Sequence, residues 1–181
     1  MSKEIIKIFV EGTNDVRFIQ WVLCRYYPIV PVTYQQKKNS IVKKLINNVK
    51  SKENQDYIFL ADMDSHSFNC ITSKKDFRIS EYNTLDDKKK IIIVKEEIES
   101  WYVSGINEKC PDDIKNISIP ANTENFTKED FEEIMPPRFD SIIDFMIEIA
   151  KCFDLELAKT RNNSFNRLIS QLDEISDCIS P

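Results

Sequence analysis

Only two glycines, Gly12 and Gly105, and a single histidine, His66, occur among the 181 residues. A phosphate-cradling loop of the Gly-rich Lys-Ser/Thr type needs several glycines so that backbone N–H groups can approach the phosphate, and this chain cannot supply them. Five cysteines (Cys24, Cys70, Cys110, Cys152 and Cys178) are scattered and odd in number, with no Cys-x-x-Cys pair. With one histidine besides, the clustered ligands of a structural zinc site are missing. Free thiols in a reducing compartment are the expectation, which leaves the Asn-x-Ser/Thr triplets at Asn116, Asn125 and Asn162 without meaning for glycosylation. Long hydrophobic runs are lacking too. No stretch approaches the roughly 18 apolar residues of a membrane span, and Met1 to Lys7 carries Glu4 and does not resemble a signal peptide. The expectation is a cytoplasmic chain with no membrane partner.

What is present is ordinary globular material, 41% hydrophobic and 30% charged, at a length that suits one domain with a real core. The net charge of −5 hides an asymmetry. Residues 1–95 carry 17 Lys/Arg against 11 Asp/Glu, and residues 96–181 carry 8 against 19. Gln35 to Lys52 contains Lys37, Lys38, Lys43, Lys44, Lys50 and Lys52 and no acid. Such a stretch can track a phosphate backbone or can simply be the solvated face of a surface helix.

Hydrophobic periodicity alternates along the chain. Ile5–Val10, Ile29–Thr33, Tyr57–Ala61 and Ile91–Val94 read as strands. Between them Val16, Ile19, Leu23 and Tyr26 recur at helical spacing up to Pro28, and Ile41, Val42, Leu45, Ile46 and Val49 mark a second helix. Residues 65–89 are polar and read as a loop with a short helix. This alternation predicts an α/β fold with a parallel sheet flanked by helices, whose ligands gather at the carboxyl ends of the strands. Two amphipathic helices follow, one through Phe139, Ile142, Ile143, Met146, Ala150 and Phe153, the other through Phe165, Leu168, Ile169 and Leu172. They predict a C-terminal helical extension over 126–181, packed on a core of residues 1–125 as one compact domain.

Carboxylates occupy the predicted strand ends. Glu11-Gly12-Thr13-Asn14-Asp15 follows the first strand. Gly12 permits a tight turn with positive φ. Asp15 falls in the first helical turn, where an acid complements the helix dipole and can also serve a ligand. The third strand runs into Asp62-Met63-Asp64. In extended backbone these two side chains share a face, and two carboxylates held together repel unless a cation lies between them. Hard oxygen ligands of this kind suit Mg²⁺. After the fourth strand, Glu97 and Glu99 either close the same pocket or open a charged helix in front of Trp101 and Tyr102. Ser65 and His66 lie close enough to the aspartates to touch a substrate, or are simply solvated.

A strand, Glu11-Gly12 and a helix, followed two strands later by a strand ending in Asp62-x-Asp64, resembles the Toprim domain over about residues 5–105. The Glu-Gly-x-x-acid form with Asp15, and the stretch Ile98-Glu99-Ser100-Trp101, are similar to small standalone Toprim proteins and to nucleases of the overcoming-lysogenization-defect (OLD) family. The resemblance implies a Toprim, Rossmann-like sheet and a phosphodiester hydrolase of DNA or RNA. It implies Mg²⁺ or Mn²⁺ held by Glu11, Asp15, Asp62, Asp64 and Glu99, with Glu11, Asp62 and Asp64 catalytic. Lys159, or Arg161, would be the late basic residue of OLD-type nucleases. Lys37, Lys38, Lys43 and Lys44 would contact the nucleic acid backbone. OLD proteins carry an ATPase segment that this sequence lacks, so an ATPase is an expected kind of protein partner, with homodimerisation as a further expectation. The alternative is a Toprim module that binds metal or nucleic acid and acts within a larger complex. A response-regulator receiver and a haloacid-dehalogenase-type phosphatase fit the acid pattern less well.

Overall fold

The computed structural model describes residues 5–63 and 67–177. Four strands, β1 (Ile5–Val10), β2 (Ile29–Thr33), β3 (Gln55–Asp62) and β4 (Ile91–Val94), form one all-parallel sheet in the order β2-β1-β3-β4. The architecture is α/β and Rossmann-like, with helices flanking the sheet. β1 is central and pairs Ile8 with Pro31 on one side and with Ile58 on the other. β4 is buried at every position, as its run of isoleucines requires.

The chain divides into two compact units, residues 1–93 with 170–181, and residues 94–169. The expected break after residue 125 lies inside the second.

In the first unit, α1 (Thr13–Trp21) follows β1 and gives way to a 3-10 turn at Leu23–Arg25 before Pro28. α2 (Asn39–Lys50) buries Val42, Ile46 and Val49 at helical spacing. The side of the sheet that carries Phe9, Tyr57, Phe59, Ala61, Ile91 and Ile93 packs with Val42, Ile46, Val49, Tyr34 and Tyr82. Tyr34 stacks on Phe59 with ring centroids 4.5 Å apart, and Tyr82 meets Phe59 at 5.3 Å. Truncating Phe59 at the centre of this stack would cost about 3–5 kcal/mol. Residues 67–89 hold more order than their polarity suggested: α3 (Ile71–Glu81) is an 11-residue helix. Its buried residue is Lys74, at 1% exposure, with Nζ 4.5 Å from the Phe68 ring centroid.

The second unit is helical. α4 (Glu99–Ser104) is buried on all sides, which marks it as a core helix. Trp101 Nε1 donates to Ser164 Oγ at 2.8 Å, and its ring meets Phe165 at 5.5 Å. α5 (Asp112–Lys115) and α6 (Lys128–Glu133) are short, the latter capped by Thr127. α7 (Ile142–Cys152) is capped by Ser141, and α8 (Leu155–Arg161) by Asp154. α9 (Asn163–Asp177) starts in this unit, while its residues from Ser170 count with the first.

The expectation of five free thiols is corrected here. Cys110 and Cys152 form a disulfide, with Cα atoms 5.1 Å apart. Asp154 N–H donates to Gly105 O at 2.9 Å, and the Phe153 ring lies against Gly105. These contacts lay the segments around 105–110 and 152–154 side by side. A separation of 42 residues gives no local signal of such proximity. Cys24 and Cys70 are free and exposed.

Candidate active site at the strand ends

Glu11 leaves the sheet directly after β1, half-buried, and its Oε1 is gripped twice. Arg78 Nη2 lies 2.7 Å away and the Tyr34 hydroxyl 2.9 Å away. The same hydroxyl lies 2.8 Å from Leu60 O, so its one proton is shared between the β1 end and β3. Tyr34 follows β2 and is held there by its N–H, which donates to Val10 O at 2.9 Å. Burial, with the Glu11 charge beside it, pushes the Tyr34 phenol far above its usual range, so it stays a donor.

Arg78 comes from α3, one helical turn beyond Lys74. Its Nη1 bonds Glu81 Oε2 at 2.8 Å, and its guanidinium carbon lies 5.8 Å from the Tyr34 ring centroid. Burial works against the guanidinium charge, but the Glu81 and Glu11 carboxylates around it outweigh that effect and keep it protonated. Its Nε–H is buried and has no partner among the described residues.

Asp62 is the last residue of β3, next to β1 in the sheet. Register pairs Phe9 with Phe59, so Glu11 comes level with Ala61 and Asp62 lies one residue beyond, on neighbouring strands about 5 Å apart. Asp64, Ser65 and His66 lie outside the described residues. Asp15 Oδ2 accepts the Gly12 N–H at 2.7 Å, closing the first turn of α1. The positive φ expected of Gly12 is not found: its φ is −120° and its ψ 179°, and an added Cβ would meet Asp15 Oδ2 at 3.6 Å, an ordinary contact.

Lys37 turns back, with Nζ bonding Thr33 O and Oγ1. Lys38 is the N-cap of α2, and Lys43 and Lys44 are on that helix, half-buried and exposed respectively. Glu99 and Lys159 belong to the second unit. Glu99 is buried at the start of α4, and Lys159 bonds Glu156 on α8 at 2.9 Å.

Sequence reasoning missed Tyr34, Lys74, Arg78 and Glu81. The available signal was the i, i+4 spacing of Lys74 and Arg78 inside a stretch bounded by Ile71 and Ile79. A basic inward face gives no hydrophobic periodicity to find.

Glu11, Asp15 and Asp62 are hard oxygen donors of the kind that suits Mg²⁺ or Mn²⁺. Among the described residues, no three Asp, Glu, His or Cys side chains gather closely enough to hold a metal ion, and Asp64 is not among them. The positive charge that meets Glu11 in this arrangement is Arg78.

Comparison with known proteins finds no matching family model, no matching curated protein and no matching solved structure. No helix among the described residues is long and apolar enough to cross a membrane.

Proposed function

We propose that this chain is a Toprim-like phosphodiester hydrolase of DNA or RNA, working at the carboxyl ends of β1 and β3. The observation that carries the reading is the placement of Glu11 and Asp62 at the ends of neighbouring parallel strands, where such sheets bind ligands. Glu11 and Asp62, with Asp64 and Asp15, would hold Mg²⁺ or Mn²⁺. A bound ion of that kind supplies polarisation of the phosphoryl oxygen and a more acidic water.

The chain's own residues do the rest. Tyr34 and Arg78 fix the position of the Glu11 carboxylate, which would orient the attacking water or accept its proton. Lys38, Lys43 and Lys44 would meet the substrate's phosphates without reading sequence, with Lys37 joining them on release from Thr33. Glu99 and Lys159 enter the proposal only through the Toprim resemblance.

A second reading is a module activated by a partner such as an ATPase, and the ion pair on Glu11 favours it, since one carboxylate oxygen is already engaged. Labelled DNA and RNA panels, tRNA included, incubated with Mg²⁺, Mn²⁺ or EDTA test the two. Metal-dependent cleavage lost in both Asp62→Ala and Glu11→Ala is the outcome expected of the hydrolase. Silence of the wild type until a partner is added favours the module. Cleavage that survives both substitutions would sink the assignment of the site.

A further inference from the structure

We infer that the cleft between α2 and strands β1 and β2 binds a small amphipathic carboxylate, one acid group on a body the size of a single ring. The cleft is separate from the strand-end site and does not depend on the hydrolase reading. Lys7, which lines it, precedes Glu11 by four residues, about 13 Å along extended backbone.

The cleft holds about 170 Å³, and its apolar walls are Phe9, Val32, Leu45 and Val49. Apolar cavities on the order of 150 Å³ take up one benzene ring, so the space sets the size of the guest. Around these walls stand Lys7, Asn48, Lys52 and Gln55, with no carboxylate among the lining residues. Lys7 is the anomaly that gives the cleft its sign. It is half-buried in the central strand, where every other residue of β1 is apolar, and it lies opposite Val30 on one side and Tyr57 on the other. A central parallel strand ordinarily carries apolar residues throughout. The ammonium groups of Lys7 and Lys52 have no hydrogen bond or ion pair among the described residues. Lys50 and Lys90 of the same unit, by contrast, hold Asp86 and Asp56.

Charge complementarity then selects the guest. A carboxylate brings the single negative group that two ammonium groups can share through charge-assisted hydrogen bonds, and the Asn48 and Gln55 amides offer further N–H donors. Its apolar body displaces water from Phe9 and Val32. A bare anion would leave those walls wet, and an uncharged ring would leave both lysines unpaired. Binding here needs both halves of the molecule.

The test is titration of the full chain with phenylacetate, followed by backbone amide chemical shifts. Saturable shifts at Phe9, Val32 and Val49 with a Kd of about 1 mM are expected. Benzyl alcohol and inorganic phosphate each carry one half of the chemistry and should bind about tenfold more weakly or worse. Lys7→Met should weaken phenylacetate by about tenfold, the loss of one charge-assisted hydrogen bond. Leu45→Trp, which fills the cleft and keeps both lysines, should abolish the shifts. Thermal unfolding establishes that each variant is folded, and Lys52→Met replaces Lys7→Met if the latter does not fold. Phosphate binding as tightly as phenylacetate would reduce the cleft to a basic surface patch and overturn the proposal. No saturable shift up to roughly 10 mM phenylacetate, or unchanged binding by the folded lysine variant, would overturn it as well. Tighter binding of uridine monophosphate than of phenylacetate would put a nucleotide in place of the carboxylate and overturn the assignment of the guest.

Discussion

Gly105 lies flat against the ring of Phe153, where a Cβ would meet three ring carbons at 2.3 to 2.7 Å. No rotamer of a side chain at 105 relieves that, because the clash begins at Cβ itself. Phe153 is 7% exposed and cannot swing into solvent without leaving its contact with Phe165. Gly105→Ala should therefore destabilise the protein by about 1–3 kcal/mol. A urea unfolding midpoint equal to that of wild type would show that the ring gives way freely. Gly12→Ala, where the added Cβ makes an ordinary contact, is the matched control.

The same neighbourhood carries the Cys110–Cys152 bond. Unfolded, unreduced protein should show two fewer reactive thiols than protein treated with reductant. Cys110→Ser should cost roughly 2–4 kcal/mol, because the unfolded chain regains the freedom that the closed loop had removed. Equal thiol counts before and after reduction would refute the pairing.

Removing the Tyr34 hydroxyl strips a donor from Glu11 and from the Leu60 carbonyl at once. Tyr34→Phe should lower stability by about 1–3 kcal/mol while leaving the stack on Phe59 intact. Chemical unfolding measures this directly, and a loss below about 0.5 kcal/mol would mean that water replaces the hydroxyl.

Asp86 joins β3 to the end of α2. Lys50 Nζ lies 2.5 Å from one of its oxygens, and the Tyr57 hydroxyl donates to the other at 2.9 Å. The hydrogen bond from Lys50, ahead of that from Tyr57, holds its carboxyl below the usual 3.8. A carboxyl with a lowered folded value binds fewer protons folded than unfolded. Its contribution is therefore complete above the ordinary value and fades as pH falls through the lowered one. Asp86→Asn should flatten the acid limb of stability below about pH 4. Because Asp86 is 61% exposed, the change should be small, and superimposable acid limbs would discard it.

Three of the four strands, Ile5–Val10, Ile29–Thr33 and Ile91–Val94, coincide with their apolar runs, and β3 exceeds Tyr57–Ala61 by two residues at one end and one at the other. A buried strand announces itself by continuous β-branched and aromatic residues, and so Glu11 and Asp62 were legible as strand-end carboxylates. α3 was legible only as a short helix without bounds, because beside Ile71 and Ile79 it turns Lys74 and Arg78 inward, and hydropathy scores both as surface. Tyr34 gave no sign for a different reason: an aromatic after a strand is ordinary packing until the hydroxyl's two partners, 23 and 26 residues away, are seen. The disulfide was hidden by the same kind of separation.

β2 lies at the border of the sheet, and Pro31 sits in its middle. Pro28 O and the Tyr34 N–H both bond β1, so alternation turns the backbone of Pro31 away from β1, toward the open side. There a proline has no hydrogen to offer. A foreign strand seeking to lengthen the sheet would meet a gap halfway along its ladder. The protein thereby discourages its own copies from joining sheet to sheet.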